Sequence, residues 1–167
     1  MNYIKITKND IANGPGVRVV LWVAGCSLNC KGCHNKDAQN FKAGTLFDDN
    51  AKQELFEALD KPYVQGLTIS GGHALEQENF ETIINLIREI KEKFPTKDIW
   101  LYTGYLYEEL YYREISRILL YIDILVDGPY VEEQRDITLA FRGSKNQRLI
   151  NVQETLKQNK IITLQND

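Results

Sequence analysis

Residues 17–24 read VRVVLWVA and continue directly into Gly25 and Cys26. Nearly every position is apolar and valine recurs, a pattern typical of a β-strand that is covered on both faces. Similar short apolar runs follow at residues 67–70, 99–103 and 123–127. We therefore predict four core strands, of which residues 17–24 form the first.

Amphipathic segments separate these strands. Residues 76–94 place apolar side chains at helical spacing, and the helix is expected to end before Pro95. Asp48 or Asp49 is a plausible cap for a helix that continues to Leu59, and residues 107–121 are predicted to form a third helix. Strands that alternate with helices indicate an α/β fold with mostly parallel strands.

Each predicted strand is followed by a turn that contains glycine. These turns are Gly25-Cys26, Ser70-Gly71-Gly72, Thr103-Gly104-Tyr105 and Asp127-Gly128-Pro129. Ligands of parallel α/β folds bind at the carboxyl ends of the strands, so we expect the functional site at this edge. The alternative is that the glycines serve backbone geometry alone.

Composition limits the classes of protein to which the chain can belong. The 167 residues are 43% hydrophobic and 26% charged with a net charge of −3, which fits one globular domain over residues 1–167. The small negative charge argues against nucleic acid as a partner. No apolar run has the length of a membrane span, and residues 1–10 lack the apolar core of a signal peptide, so we expect a cytoplasmic protein without a membrane partner.

The three cysteines of the chain are Cys26, Cys30 and Cys33, with the spacing C-x3-C-x2-C. Three thiolates can hold three irons of a 4Fe–4S cluster and leave the fourth iron open to a substrate. The alternative is structural zinc, with His34 or His73 as the fourth ligand. A catalytic thiol would not explain three clustered cysteines.

The cysteine spacing and the paired glycines after the second strand resemble the radical S-adenosylmethionine superfamily. Further motifs narrow the resemblance to the small family of proteins that activate anaerobic ribonucleoside-triphosphate reductase, over roughly residues 1–153. These motifs are NGPGVR at 13–18, CHN at 33–35, DIWLYTGY at 98–105, VDG at 126–128 and FRGSKNQR at 141–148.

The resemblance implies an incomplete (β/α) barrel that binds a 4Fe–4S cluster and S-adenosylmethionine. By position, Cys26, Cys30 and Cys33 would be the cluster ligands. The same comparison implies that Gly32, Cys33 and His34 line the S-adenosylmethionine, and that Gly72 lets the backbone approach its methionine end. Residues 73, 103 and 127 (His73, Thr103 and Asp127) are where further cofactor or substrate contacts are expected.

The family's reaction is implied by the same resemblance. Reductive cleavage of S-adenosylmethionine would yield a 5′-deoxyadenosyl radical, which takes a hydrogen atom from a glycine of the large reductase subunit. The expected partners are therefore this subunit and a one-electron donor such as flavodoxin. Because so short a barrel is open at its mouth, we expect the reductase to complete the cavity. The alternatives are an activase of another glycyl-radical enzyme, such as pyruvate formate-lyase, and a non-catalytic zinc-binding interaction module.

Two positions depart from the usual patterns. The family usually has an acidic residue and a proline after the paired glycines, where this chain has His73 and Ala74. Three alternatives are open. The backbone can do most of the cofactor binding and so tolerate His73, His73 can weaken cofactor binding, or His73 can bind the fourth iron. Gly32 stands where the wider superfamily often has an aromatic residue, and His34 is expected to take over its adenine contact. Near the chain end, Arg142, Gln147 and Arg148 match the family pattern, which favours a cofactor or partner contact.

Overall fold

The computed structural model describes residues 1–164, which form a mixed α/β fold around one sheet of seven strands. The strands are β1 (Asn2–Asp10), β2 (Val17–Val23), β3 (Thr45–Leu46), β4 (Val64–Gly71), β5 (Asp98–Tyr102), β6 (Ile124–Asp127) and β7 (Arg148–Asn151). Their order across the sheet is β3-β1-β2-β4-β5-β6-β7. The central strands β2, β4, β5 and β6 are parallel, whereas β1, β3 and β7 pair antiparallel at the two sides.

Four α-helices accompany the sheet. They are α1 (Asp49–Leu59), α2 (Gln77–Lys93), α3 (Tyr107–Tyr111) and α4 (Val152–Gln158), and short 3-10 helices occupy Lys36–Gln39, Glu114–Leu120 and Glu132–Gln134. The carboxylate of Asp48 caps α1 by accepting a hydrogen bond from the Ala51 amide at 3.0 Å. Among the described residues, no helix combines the length and the apolarity that crossing a membrane requires.

The parallel core of the sheet confirms the prediction from the sequence, because all four predicted strands occur within a few residues of their expected positions. Helices α1 and α2 also begin and end close to the predicted bounds. The single helix predicted for residues 107–121 is wrong. Arg113 is extended there, with φ −103° and ψ 157°, and its guanidinium lies 4.4 Å from the centre of the Tyr105 ring, so α3 ends and a 3-10 helix follows.

The two faces of the sheet are covered differently. Apolar side chains of α1, α2 and α4 pack against one face in the main core, which includes Leu55, Ile83 and Val152. The other face carries a smaller cluster that includes Trp100 and Val126. Residues 130–143 lie over this second face and leave a cavity beneath them. The uncovered part of the sheet therefore has room for a ligand.

A buried arginine fixes the loop that precedes β2. Arg18 is completely buried, donates to the Thr68 hydroxyl at 2.8 Å and forms an ion pair with Asp98 at 2.6 Å. The Thr68 hydroxyl in turn donates to the Asn13 carbonyl at 2.8 Å. A Cβ at Gly14, where φ is +138°, would come within 2.7 Å of the Arg18 side chain, so glycine is needed for this close packing. Within the NGPGVR motif, Gly14 and Arg18 are explained by this arrangement.

Candidate metal centre

The three cysteines lie on one loop that leaves the carboxyl end of β2, and we call residues 25–33 the cysteine turn. Cys26, Cys30 and Cys33 are free thiols with intermediate exposure, and the Cys33 amide donates to the Cys30 carbonyl at 3.2 Å. Burial raises the pKa of the Cys26 thiol, and the nearby Glu76 carboxylate adds to this shift. Within residues 1–164, no three His, Cys, Asp or Glu side chains are gathered closely enough for a single metal ion.

The paired glycines pack directly against the cysteine turn, and we call residues 70–73 the glycine turn. The Gly72 amide donates to the Val23 carbonyl at 2.8 Å, and the His73 amide donates to the Gly25 carbonyl at 2.7 Å. A Cβ at Gly72 would lie 2.6 Å from the Gly25 carbonyl oxygen and 2.8 Å from that of Ala38. Glycine is therefore required at position 72 by the protein's own backbone, before any ligand is considered.

His73 is buried, and both of its ring nitrogens are engaged by protein groups. Nδ1 lies 3.3 Å from Oε1 of Glu76, and Nε2 lies 2.8 Å from Oγ1 of Thr103. Because a carboxylate only accepts, we assign the proton to Nδ1, so that Nε2 accepts from the Thr103 hydroxyl. Burial lowers the pKa of His73, which agrees with a neutral ring. Neither nitrogen is free for a metal ion in this arrangement.

Thr103 extends this chain of hydrogen bonds to the next strand. Its hydroxyl oxygen accepts from the Tyr105 amide at 3.1 Å while its proton is directed to His73. The structure therefore brings together the expected residues His73 and Thr103, but their side chains bind each other rather than facing a cavity. The carboxyl ends of β4 and β5 are linked in this way.

Glu76 is a residue that the sequence analysis did not single out. Its Oε1 accepts from both the amide and the hydroxyl of Ser27, at 2.7 and 2.8 Å, in addition to the contact with His73. Burial opposes its ionisation, but the hydrogen bonds from Ser27 and His73 lower the pKa of Glu76 below its usual range. The available signal was weak: Glu76 follows His73 by three residues, and a turn in which the Glu76 amide donates to the His73 carbonyl at 3.2 Å brings the two side chains together.

Asn79 is a second polar residue that the sequence analysis missed. It is buried on α2, and its amide nitrogen donates to the carbonyls of Ala24 and His73 at 2.9 and 3.1 Å. The helix thereby holds the backbone on both sides of the candidate site. Its helical spacing from Ile83 places it on the buried face of α2, and that was the signal that could have identified it.

A segment from the far side of the sheet reaches over the cysteine turn. The Lys31 ammonium pairs with Glu132 and Glu133 at 3.1 and 3.2 Å, and the exposed His34 ring lies 5.0 Å from the Tyr130 ring. Gly32 has φ +71°, a left-handed conformation that favours glycine and accounts for the absence of an aromatic residue there. These contacts are solvent-exposed, so each ion pair contributes little to stability.

A cavity of about 490 Å³ adjoins the cysteine turn on the open face of the sheet. Four of the expected residues line it: Cys33, His34, Arg142 and Gln147. Strand residues Trp22 and Tyr102 form part of its wall. Cys26, Cys30 and Gly32 lie along the cysteine turn and do not line this cavity. Gly72, His73 and Thr103 do not line it either.

Asp127 and Arg148 belong to a separate network. The completely buried Asp127 carboxylate accepts from the Tyr107 amide at 2.8 Å and from Nε of Arg148 at 3.0 Å. Arg148 also donates to both carboxylate oxygens of Glu108, at 3.0 and 2.7 Å, which lowers the pKa of Glu108. In this structure Asp127 and Arg148 join β6, β7 and α3 and do not line the cavity.

Comparison with known proteins identifies relatives of this chain and an iron–sulfur family that it matches. Residues 12–150 match a family described as a 4Fe–4S single cluster domain. The chain is 46% identical over 149 residues to the anaerobic ribonucleoside-triphosphate reductase-activating protein of Enterobacteria phage T4, covering 89% of this chain and 93% of that protein. Proteins of the same name from Haemophilus influenzae and Escherichia coli K12 are 43% and 38% identical, each over 88% of this chain and 96% of their own length. The chain belongs to the family of anaerobic ribonucleoside-triphosphate reductase-activating proteins.

Proposed function

We propose that this chain is a radical S-adenosylmethionine activase that generates a glycyl radical on anaerobic ribonucleoside-triphosphate reductase. The observation that carries the proposal is the cysteine turn, which holds three free thiols at the carboxyl edge of a parallel sheet and beside an open cavity. Thiolate sulfur is the ligand that iron–sulfur clusters require, so Cys26, Cys30 and Cys33 fit a 4Fe–4S cluster with one open iron. The family relationship supports the same reaction.

The bound groups would supply the electron and the hydrogen-abstracting radical, and the chain's own residues hold these groups in place. Cys33 and His34 line the cavity, so they are placed to contact S-adenosylmethionine, and Gly32 directly precedes them in the chain. Gly72, His73 and Thr103 lie next to the cysteine turn without lining the cavity. The His73 and Thr103 side chains are hydrogen-bonded to each other. We therefore assign to these two residues a role in cofactor binding through their backbone and through the rigidity of this region.

The remaining proposals concern the whole protein. One domain of the incomplete (β/α) barrel type is supported by the four central parallel strands and by the open cavity on the second face of the sheet. The cavity is open, which fits a large reductase subunit that completes it. A cytoplasmic one-electron donor such as flavodoxin would provide the reducing equivalent.

Electron paramagnetic resonance of the anaerobically reconstituted and reduced protein tests the proposal. We expect a reduced-cluster signal that shifts when S-adenosylmethionine is added, followed by a glycyl-radical signal when the reductase is present. A cluster signal that does not change when S-adenosylmethionine is added would contradict the proposal that one iron is open to the cofactor. A preparation that holds zinc and no iron would instead identify the zinc-binding interaction module.

The variant Cys30→Ala tests the cluster ligands directly, because the two remaining thiolates cannot hold the cluster as three do. We expect loss of most of the bound iron and of the signal, whereas Lys36→Ala, an exposed substitution just beyond the cysteine turn, is expected to retain both. Normal iron content in Cys30→Ala would remove Cys30 from the ligand set.

A further inference from the structure

Glu76 is buried through contacts that lie outside its own helix. It occupies the N-cap position of α2, yet its side chain makes no capping hydrogen bond to that helix. The carboxylate instead turns toward the cysteine turn and is only 8% exposed. Burial of a carboxylate is costly unless hydrogen bonds compensate, so the side chain is held there by specific partners.

Those partners come from two different turns. Ser27, 49 residues away in the chain and next to Cys26, donates its amide and its hydroxyl to Oε1. His73 donates to the same oxygen from the glycine turn. One carboxylate oxygen thus links the cysteine turn, next to Cys26, to the glycine turn.

The attachment of the two turns does not depend on Glu76. A backbone hydrogen bond from His73 to Gly25 already joins them, and one from Gly72 to Val23 holds the glycine turn to the end of β2. What Glu76 adds lies further along the cysteine turn, at Ser27, and it adds a negative charge there. A neutral glutamine could accept the same hydrogen bonds. Hydrogen bonding alone therefore does not explain why a charged carboxylate occupies this position.

An ionised carboxylate beside a cluster ligand would affect the electron affinity of a bound cluster. Net charge and hydrogen bonds around the sulfurs set the reduction potential of iron–sulfur clusters, and a nearby negative charge disfavours the reduced, more negative state. His73 matters to this arrangement because its neutral ring donates to the carboxylate without cancelling the charge. An acidic residue at position 73 would face Glu76 directly, and the two carboxylates would repel each other.

We infer that Glu76 is a positioning residue of the cluster site, which fixes the Cys26 end of the cysteine turn and keeps a negative charge beside the cluster. The inference rests on the proposed function, since it concerns the group that the three cysteines would hold. It assigns a role to a residue outside the cysteine motif and outside the paired glycines. It also gives His73 a role in this chain, as the hydrogen-bond donor that anchors the carboxylate.

The test compares Glu76→Gln with Glu78→Gln in the reconstituted protein. Glu78 is exposed in the first turn of the same helix, so its variant loses the same charge without touching the cysteine turn. One readout is a redox titration of the cluster followed by electron paramagnetic resonance. The other is amide hydrogen exchange in the peptide that contains Ser27.

We expect Glu76→Gln to shift the midpoint potential to a more positive value and to speed exchange of the Ser27 amide by about 10-fold, because a charge-assisted hydrogen bond becomes a neutral one. Glu78→Gln should match the wild type in both readouts. An unchanged potential in Glu76→Gln overturns the inference even if exchange accelerates, because the residue would then act on shape alone.

Glu76→Asp keeps the experiment decisive if Glu76→Gln fails to retain a cluster. The aspartate preserves the charge, so it should hold the cluster with a potential near that of the wild type, whereas loss of the cluster in both variants overturns the inference. The wild type and Glu78→Gln report on the proposed function independently. If neither binds a cluster whose signal responds to S-adenosylmethionine, the proposed function fails and the inference falls with it, whereas exchange at Ser27 still reports on the hydrogen bond itself.

Discussion

Gly72 illustrates how a residue can be required for a reason that differs from the expected one. The family resemblance suggests that a glycine here lets the backbone approach a cofactor. In the structure, a Cβ at this position would lie 2.6 Å from the Gly25 carbonyl oxygen and 2.8 Å from that of Ala38. Both obstacles are backbone atoms, so a side-chain rotation cannot relieve the overlap. The glycine turn and the cysteine turn can meet only if position 72 has no side chain.

The variant Gly72→Ala is therefore expected to destabilise the protein even without any bound group. Overpacking of this kind costs about 1–3 kcal/mol, and denaturant unfolding of the metal-free protein measures it. Gly104→Ala is the matched control, because its Cβ would meet a terminal methyl group of Leu28, which can rotate away. Equal stability of Gly72→Ala and the wild type would show that the two turns are not packed as described.

At the same scale, the sequence draws attention to residues whose signal is local. The three cysteines and the paired glycines were identified because each group lies within a few consecutive positions. Glu76 was not identified, because its partner Ser27 lies 49 residues away and neither residue is unusual alone. The role of His73 as a donor to Glu76 likewise depends on a contact that only the folded chain creates.

At the scale of elements, helix α2 carries both the apolar face that builds the core and the polar groups that support the site. Ile83, Ile87 and Ile90 are completely buried against the sheet. On the same buried side, Asn79 donates to the Ala24 carbonyl at the end of β2 and to the His73 carbonyl in the glycine turn. The amino-terminal turn of α2 therefore sets the position of the candidate site relative to the sheet.

The variant Asn79→Ala is expected to lower the free energy of unfolding by about 1–3 kcal/mol, because the buried Ala24 carbonyl loses the side-chain donor that reaches it. Asn85→Ala tests the same substitution at an exposed position of the same helix, where alanine should be neutral or slightly stabilising. Chemical denaturation of both variants checks the difference. Equal stabilities would mean that the Asn79 hydrogen bonds add nothing to the fold.

The elements that the sequence predicted share a strong local pattern, and those that it missed depend on distant partners. Strands β2, β4, β5 and β6 are short apolar runs, and α2 has a sustained helical period. Strand β1 mixes apolar and polar residues without regular alternation and is stabilised by its pairing with β2. Strand β7 is four residues long and is positioned by its pairing with β6. The break after α3 occurs where Arg113 is extended and packs on Tyr105, a contact that no local pattern indicates.

At the scale of the whole molecule, the uneven covering of the sheet determines where a partner can act. Helices protect one face with the main core, while the other face is covered by residues 130–143 and retains the open cavity. The cysteine turn lies at the border between the protected edge and this cavity. A large partner that approaches the candidate site must therefore approach from the cavity side.

Ile137 lines this cavity and is 85% exposed, so its side chain is accessible to a partner that approaches the cavity. If the reductase completes the cavity, Ile137→Ser should weaken the complex about 10-fold, because a buried apolar contact at an interface is lost. Tyr63→Ser is the matched control. Tyr63 is also exposed, but it precedes β4 at the opposite, amino-terminal edge of the parallel strands, so its replacement should leave the affinity unchanged. Affinity measurements with the purified reductase subunit distinguish the two variants. A loss of affinity in Tyr63→Ser but not in Ile137→Ser would place the reductase at the amino-terminal edge, where it could not cover the cysteine turn.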